Sequence, residues 1–489
     1  MKILKLFAAS LLLVTAFSSC SKGFLDTEYT EYLGAEEAAT AAGKNPDVFL
    51  NGAWSWMVRY EDRHDSYGIF TIFMDTQVMG EDIAFVTSSW YNFDYQLDYR
   101  EAPYVRTGSF WTTLYTLISK ANEIIELYPN GGATVNENGL LGQAYAFRGM
   151  SYYYLVQIYQ DYLNEDGTFK EDAPAVPIIY SKADGKTEEE REAAKGRNTV
   201  KDVLTVCQKD LEKAVELLDL GYQRPNKNYI DSSVARGLLA RFYLLTQQWE
   251  KAAETAKAAR KGYTLMDKAR LHSGFNAIGD AEWMWGFNHT TETQTSFASL
   301  FSHLATEGPG YGSSYPFLID KRLYDQIPET DYRKSLFNGA EGDATRTTSG
   351  AKRPYANQKF QYKDGWLCDY MYMRAAEMVL IEAEAYAHQN NGSEAARVLK
   401  ELMETRDPQW NMSSVTVDDV YLQRRIELWG EGFTYFDLKR LNKGINRNYE
   451  GSNHNYKLAF PAHDVAWTFQ IPRSEIQENT HISDDDQNP

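Results

Sequence analysis

Residues 421–441 read YLQRRIELWGEGFTYFDLKRL, and this stretch decides the fold class. It forms most of a block with helical periodicity over residues 416–441, in which Leu428 and Phe436 face the core. Gly432 permits close packing against a neighbouring element. The block therefore predicts one long, largely buried helix.

The charged side chains of the same stretch favour a structural role over a binding role. Arg424, Glu427 and Glu431 are one turn apart, so they can form ion pairs along the helix. We therefore predict that this stretch holds a helical scaffold together and does not contact a ligand.

Helical periodicity recurs in discrete blocks outside this stretch. The other blocks are residues 47–60, 109–128, 140–160, 200–218, 233–245, 248–261, 371–388 and 393–406. The segments without a helical repeat are residues 61–108, 161–198, 263–370 and 442–489, which carry much of the Gly, Pro, Ser, Thr and Asn. Long segments of this kind tend to be functional.

Two helix pairs share one spacing of small residues and tyrosine. Offsets 0, 3, 12 and 16 are occupied by Ala240, Tyr243, Ala252 and Ala256, and again by Ala383, Tyr386, Ala395 and Leu399. Small residues let two antiparallel helices approach closely, which is the tetratricopeptide pattern, and one such pair cannot bury its apolar face alone. The predicted fold is mainly α: an α-α superhelix of about four tetratricopeptide-like helix pairs, with a large irregular, loop-rich lobe containing few short strands.

These blocks suggest one domain over residues 47–489. The helical spine is expected near residues 47–60, 109–160, 200–261 and 371–441. The irregular lobe that would bind a ligand is expected near residues 61–108 and 263–370.

The first twenty residues, MKILKLFAASLLLVTAFSSC, have the parts of a secretory signal. Two lysines precede an apolar run that is too short to span a membrane, and small residues then lead to Cys20. We predict a signal peptide over residues 1–19, lipidation of Cys20 and a polar tether over residues 20–46. A plain signal peptide with a chance cysteine is the alternative. The mature chain would then be held at a membrane by lipid without spanning it.

Composition excludes several classes of function. The formal charge is −18, and it becomes −20 when residues 1–19 leave with their two lysines. Because nucleic-acid binding requires clustered Lys and Arg, no nucleic-acid partner is predicted. The sequence contains no GxSxG, HExxH, Walker A or GxGxxG motif, and we predict no cofactor. A structural calcium ion is possible in so acidic a chain, but residues 162–173 fail as an EF-hand loop and no other site is placed.

The opening stretch also resembles the signature of the SusD/RagB family, the surface glycan-binding lipoproteins of Bacteroidetes-type bacteria. The matching residues are Arg424, Arg425, Glu427, Leu428, Glu431, Gly432, Phe436, Asp437, Leu438 and Arg440. Four further segments resemble family motifs in the right order: residues 24–26, 146–153, 374–385 and 471–489. The resemblance therefore extends from the lipidation site to the last residue.

This resemblance implies a helical spine of four tetratricopeptide-like pairs and a lipid anchor at the outer membrane, facing the cell exterior. It implies a protein without enzymatic activity that captures a glycan and delivers it to a SusC-like TonB-dependent transporter. The RagB branch handles peptides, so a peptide-binding lipoprotein of an uptake pair is the alternative. A helical glycoside hydrolase and a scaffold that binds only protein are further alternatives.

Two irregular stretches have the composition of a sugar-binding surface, on which aromatic rings lie beside polar side chains. Residues 80–106 supply the candidate contacts Asp82, Trp90, Tyr91, Asn92, Tyr95 and Arg100. Residues 283–315 supply Asn288, His289 and Tyr311, whereas residues 283–287 are expected to form a buried strand. For any single aromatic residue, packing of the lobe onto the spine competes evenly with ligand contact.

Overall fold

The structure, a computed structural model, describes residues 47–58, 63–85 and 89–489. The predicted signal peptide over residues 1–19, the lipidation site Cys20 and the tether over residues 20–46 lie outside this part of the chain. The packing reported below is that of Phe49–Pro489, which form one compact unit.

Helices dominate the described residues. They are α1 (Asp47–Val58), α2 (Ile69–Met79), α3 (Asn92–Tyr95), α4 (Val105–Leu127), α5 (Val135–Ile158), α6 (Glu188–Ala193), α7 (Val200–Leu218), α8 (Ser232–Leu245), α9 (Trp249–Ala259), α10 (Lys268–Leu271), α11 (Leu300–Leu304), α12 (Lys321–Asp325), α13 (Ala375–His388), α14 (Gly392–Met403), α15 (Val417–Glu427), α16 (Thr434–Arg440) and α17 (Arg473–Glu478). The strands are β1 (Ile83–Ala84), β2 (Trp283–Phe287), β3 (Leu318–Ile319), β4 (Tyr370–Arg374), β5 (Ile445–Asn446) and β6 (Ala459–Phe460).

The long helices pack in succession to form a spine. Helix α4 packs along α5, α5 along α7, α7 against α8, α8 against α9, α9 against α13, and α13 against α14. Side-chain caps start several of them: Thr134 with Glu137 caps α5, and Thr199 with Asp202 caps α7. The prediction of a mainly α fold built from helix pairs is confirmed. Within it, α4 packs chiefly along α5.

The shared spacing of small residues lies where the helix pairs meet. Ala240, Ala252 and Ala256 are fully buried, and so are Ala383 and Ala395. Their small side chains let α8 approach α9 and α13 approach α14 closely, which is the reason the spacing predicted the pairs.

The predicted single helix over residues 416–441 is wrong, because the chain breaks between α15 and α16. Gly430 and Gly432 have φ values of 77° and 89°, in the left-handed region that favours glycine. A Cβ on Gly432 would lie 2.5 Å from the Cβ of Phe73. The two glycines therefore turn the chain, and Gly432 also makes room for α2.

The predicted ion pairs along that helix are also wrong, because the charges pair across elements. Glu427 accepts hydrogen bonds from Arg374 at 2.7 Å and from Arg406 at 2.9 Å, and all three side chains are buried. Arg424 donates to Asp437 on α16 at 2.7 Å. Burial opposes ionisation of Glu427, yet the guanidinium groups of Arg406 and Arg374 hold its pKa well below the usual range. The stretch thus ties α15 to the start of α13, the end of α14 and α16.

The irregular segments contain short antiparallel strand pairs. Strand β2 pairs with β4, with Trp283 opposite Arg374, and every residue of β2 is buried, as expected for residues 283–287. Strand β1 pairs with β3, and β5 with β6. Among the described residues, no helix has both the length and the apolar character needed to cross a membrane.

Candidate functional site

The irregular lobe contains an open pocket with a volume of about 510 Å³. Its lining residues are Arg63, Ser89, Trp90, Phe93, Tyr99, His303, Tyr311, Tyr315 and Phe317. They come from the segment before α2, the segment around α3, helix α11 and the residues before β3. The volume is in the range typical of small-molecule sites.

Aromatic rings at this pocket are unusually exposed. Trp90 is 40% exposed, Phe93 47% and Tyr315 45%. Phe297, which packs on Tyr311 with ring centroids 4.5 Å apart, is 41% exposed. Because grouped exposed apolar rings are costly in water, such a patch usually marks a binding surface.

Neighbouring rings hold the upper layer of the pocket in place. His64 stacks on Trp90 with centroids 5.3 Å apart and an angle of 27° between the planes, and a hydrogen bond joins its Nδ1 to the Tyr311 hydroxyl. Tyr311 also stacks on His303 at 4.9 Å and meets Trp90 edge-on at 6.0 Å. These contacts fix the orientation of Trp90 and Tyr311 before any ligand arrives.

The floor of this layer is neutral. His303 is buried, and its Nε2 donates to the backbone carbonyl of His64 at 2.8 Å. Burial lowers the pKa of His303 to about 4, so its ring is uncharged at neutral pH. His303 therefore presents an uncharged aromatic ring to Tyr311.

A second, buried aromatic layer supports the first. Tyr91 meets His303 edge-on at 5.0 Å, and its hydroxyl is hydrogen-bonded to that of Tyr67. Phe85 stacks between Tyr95 at 4.4 Å and Phe317 at 5.2 Å. The aromatic residues of this region are thus divided between a surface layer and its support.

A buried charge cluster anchors the pocket from below. Arg63 donates to Asp65 at 2.9 Å, and Asp65 accepts from Arg106 at 2.7 Å. Arg106 also pairs with Asp94 at 2.8 Å and with Asp75 at 2.9 Å. Burial and the negative charges of Asp94 and Asp65 outweigh Arg106 and raise the pKa of Asp75 well above its usual range. Asp75 is therefore the carboxyl of the cluster that is hardest to ionise.

Two of the nine predicted contacts line the pocket: Trp90 and Tyr311. Asp82, Tyr91 and Tyr95 are buried and do not line the pocket. Asp82 accepts from Arg425 at 2.8 Å, and Tyr95 is hydrogen-bonded to His454. The polar groups that suggested ligand binding in these residues are engaged within the protein.

The remaining four predicted residues lie outside the pocket lining. Asn92 begins α3, and Arg100 donates to the backbone carbonyl of Pro489 at 2.8 Å. Asn288 donates to Asp369 at 2.9 Å, and His289 is buried with its Nδ1 bonded to the Thr293 carbonyl. The roles of these four residues in binding stay predictions.

Several pocket residues were missed as individual candidates. Phe93, Tyr99 and Tyr315 belong to the stretches that the composition singled out, but nothing in the sequence ranked them above their neighbours. Arg63 and His303 carried no local signal, since they reach the pocket only through folding. In residues 47–58, 63–85 and 89–489, no group of three His, Cys, Asp or Glu side chains is arranged to hold a metal ion.

Two protein-family models match this chain. The family model described as "Starch-binding associating with outer membrane" matches residues 50–244, and that of the SusD family matches residues 288–489. The chain belongs to the SusD family. A SusD-like protein P2 of Formosa agariphila is 25% identical over 394 residues, which cover 69% of this chain and 72% of the relative.

Solved structures of SusD-like proteins share this fold. A SusD-like carbohydrate-binding protein from Bacteroides vulgatus is 26% identical, with a TM-score of 0.77 over 92% of this chain and 98% of the other. A laminarin-binding SusD-like protein is 18% identical, with a TM-score of 0.67 over 91% of this chain and 99% of the other. The second likeness, at its low identity, concerns the fold alone.

Proposed function

We propose that this protein is a glycan-binding lipoprotein of the cell surface that holds oligosaccharide on the aromatic faces of Trp90 and Tyr311. The observation that carries the proposal is the exposed yet rigidly held ring layer of the pocket. Sugars have flat C–H faces rimmed by hydroxyl groups, so an aromatic face beside polar groups suits them. Arg63 and Ser89 supply polar groups at the same pocket.

Membership of the SusD family supports this choice of ligand class. A relative of similar fold is a carbohydrate-binding protein and another binds laminarin. The same relationship supports the finer parts of the proposal: anchoring at the outer membrane, delivery of the glycan to a SusC-like TonB-dependent transporter, and absence of catalysis. Co-purification of a tagged chain with such a transporter would test the pairing.

Replacing the platform ring tests the binding site. We expect Trp90→Ala to weaken binding at least about tenfold, about 1.4 kcal/mol, because the ring supplies a stacking face. Isothermal titration against starch, laminarin, xylan and mannan measures this effect. Running each titration with and without a chelator tests the further proposal that binding needs no metal cofactor.

A matched control and a competing ligand class make the test decisive. Trp249→Ala removes a partly exposed ring that stacks on His388 in the spine, and it should leave affinity unchanged. Binding of peptides alone would contradict the glycan proposal in favour of a peptide-binding lipoprotein. Release of shorter sugars during prolonged incubation would contradict the absence of catalysis.

A further inference from the structure

A second, polar cavity of about 230 Å³ lies in the same lobe. Its lining includes Thr306, Glu307, Gly308, Gln358, Gln361 and Tyr362. None of these residues lines the larger pocket that contains Trp90, so this is a separate depression.

The two cavities are close along the chain. His303 lines the pocket and Gly308 lines the second cavity. Five residues of fully extended chain span at most about 18 Å, which is an upper limit on the distance between these two α-carbons. One elongated molecule can therefore reach both.

Aromatic rings fill the gap between the cavities. Tyr311 contacts Phe297 at 4.5 Å, and Phe297 contacts Trp366 at 6.2 Å. Trp366 in turn meets Tyr362 edge-on at 4.9 Å. Phe297 is 41% exposed and Trp366 is half-buried, so the connection lies at the surface.

The backbone is shaped to seat the last ring. Gly308 has a φ of 111°, which only glycine adopts easily, and a Cβ there would lie 2.9 Å from Tyr362. The Tyr362 ring therefore packs directly over this backbone, beside the cavity that both residues line.

The polar groups of the second cavity suit an uncharged ligand rich in hydroxyl groups. Glu307 accepts from the backbone N–H of Thr347 at 3.0 Å, and the nearby Arg346 is paired with Asp343 at 3.0 Å. One acid and one base line the cavity, so it has no net charge. The amides Gln358 and Gln361 add further donors and acceptors.

We propose that the second cavity is a further subsite, which takes the continuation of a neutral oligosaccharide bound on Trp90 and passing over Phe297 and Trp366. This inference rests on the proposed function, because it assigns a second part of the same ligand. It makes affinity depend on chain length, since only longer oligosaccharides reach Tyr362.

Length-dependent titration tests the subsite. The probes are laminari-, malto-, xylo- and manno-oligosaccharides from disaccharide to octasaccharide. We expect Tyr362→Ala to leave the affinity of the shortest bound oligosaccharide unchanged and to weaken the longest about tenfold. Trp90→Ala should weaken the binding of oligosaccharides of every length. Tyr128→Ala is the matched control, because Tyr128 is also half-buried but caps the C-terminal end of α4 and lines neither cavity.

The possible failures are distinguishable. If the unmodified protein binds none of these oligosaccharides, the glycan function and the subsite both fall. If Trp90→Ala weakens binding but Tyr362→Ala has no effect at any length, the subsite alone is overturned. Should Tyr362→Ala fail to fold, Gln361→Ala replaces it, since Gln361 is exposed and lines the same cavity. The subsite is then overturned if Gln361→Ala has no effect on binding at any length.

Discussion

Beneath the pocket, the side chain of Asp75 is surrounded by more negative charge than Arg106 can balance. Asp65 and Asp94 are paired with the same guanidinium group, and all four side chains are buried. A carboxyl in this position resists ionisation, because ionisation would add a third buried negative charge. Asp75 therefore costs the folded state stability at any pH where the unfolded chain would ionise it.

Replacement of the Asp75 carboxyl by a neutral amide should be tolerated. Because the pKa of Asp75 is raised in the folded protein, the folded state keeps its proton to higher pH than the unfolded chain, which loses it above about pH 3.9. The free energy of unfolding therefore falls as the pH rises from about 3.9 towards the pKa of the folded state. We expect Asp75→Asn to change the free energy of unfolding by less than about 1 kcal/mol at pH 7. Relative to the unmodified protein, its stability should fall less between pH 4 and pH 7. Urea unfolding at several pH values measures both.

Asp94→Asn is the contrasting variant. Asp94 accepts from Arg106 at 2.8 Å and 2.9 Å, so its loss should cost at least about 2 kcal/mol. Equal losses in the two variants would show that Asp75 is ionised in the folded protein.

Side-chain direction at the pocket was not predictable from composition. Trp90 and Phe93 are exposed, whereas Tyr91 and Tyr95 are buried. All four belong to one aromatic stretch, and the turn into α3 decides which of them face outward. Periodicity could not supply this division, because a four-residue helix is too short to establish a repeat.

At the scale of elements, the break between α15 and α16 shows how backbone geometry overrides periodicity. The apolar pattern of residues 416–441 is continuous, but Gly430 and Gly432 adopt positive φ. Close approach of Phe73 then excludes any side chain from Gly432. The glycine was recognisable in the sequence, whereas its partner on α2 was not, since the two are distant along the chain.

A pair of glycine substitutions separates strain from collision. Gly432→Ala has to absorb both a φ of 89° and a contact of 2.5 Å, so we expect a loss of about 3 kcal/mol or more. Gly131→Ala has a similar φ of 87° with nothing within 4 Å, and it should lose only about 1–2 kcal/mol. Thermal and urea unfolding compare the variants, and equal losses would refute the role of the Phe73 contact.

At the scale of the whole molecule, the proposed attachment to the membrane involves residues beyond those that the structure describes. Cys20 follows a predicted signal peptide, and we propose that it carries the lipid. Cys20→Ser should move the protein from the membrane fraction to the soluble fraction and abolish incorporation of labelled fatty acid, while glycan affinity of the purified protein stays unchanged. Membrane association that persists without lipid would contradict this prediction.

The sequence alone determined the fold class, because the helical repeats and the small residues at Ala240 and Ala383 are local patterns with one physical reading. It also located the aromatic stretch that contains Trp90. Only the tertiary structure decided which rings are accessible and which charges are paired. Glu427 meets Arg374, and His64 meets Tyr311, across long separations in sequence. Such contacts depend on how elements pack, and no local pattern records them.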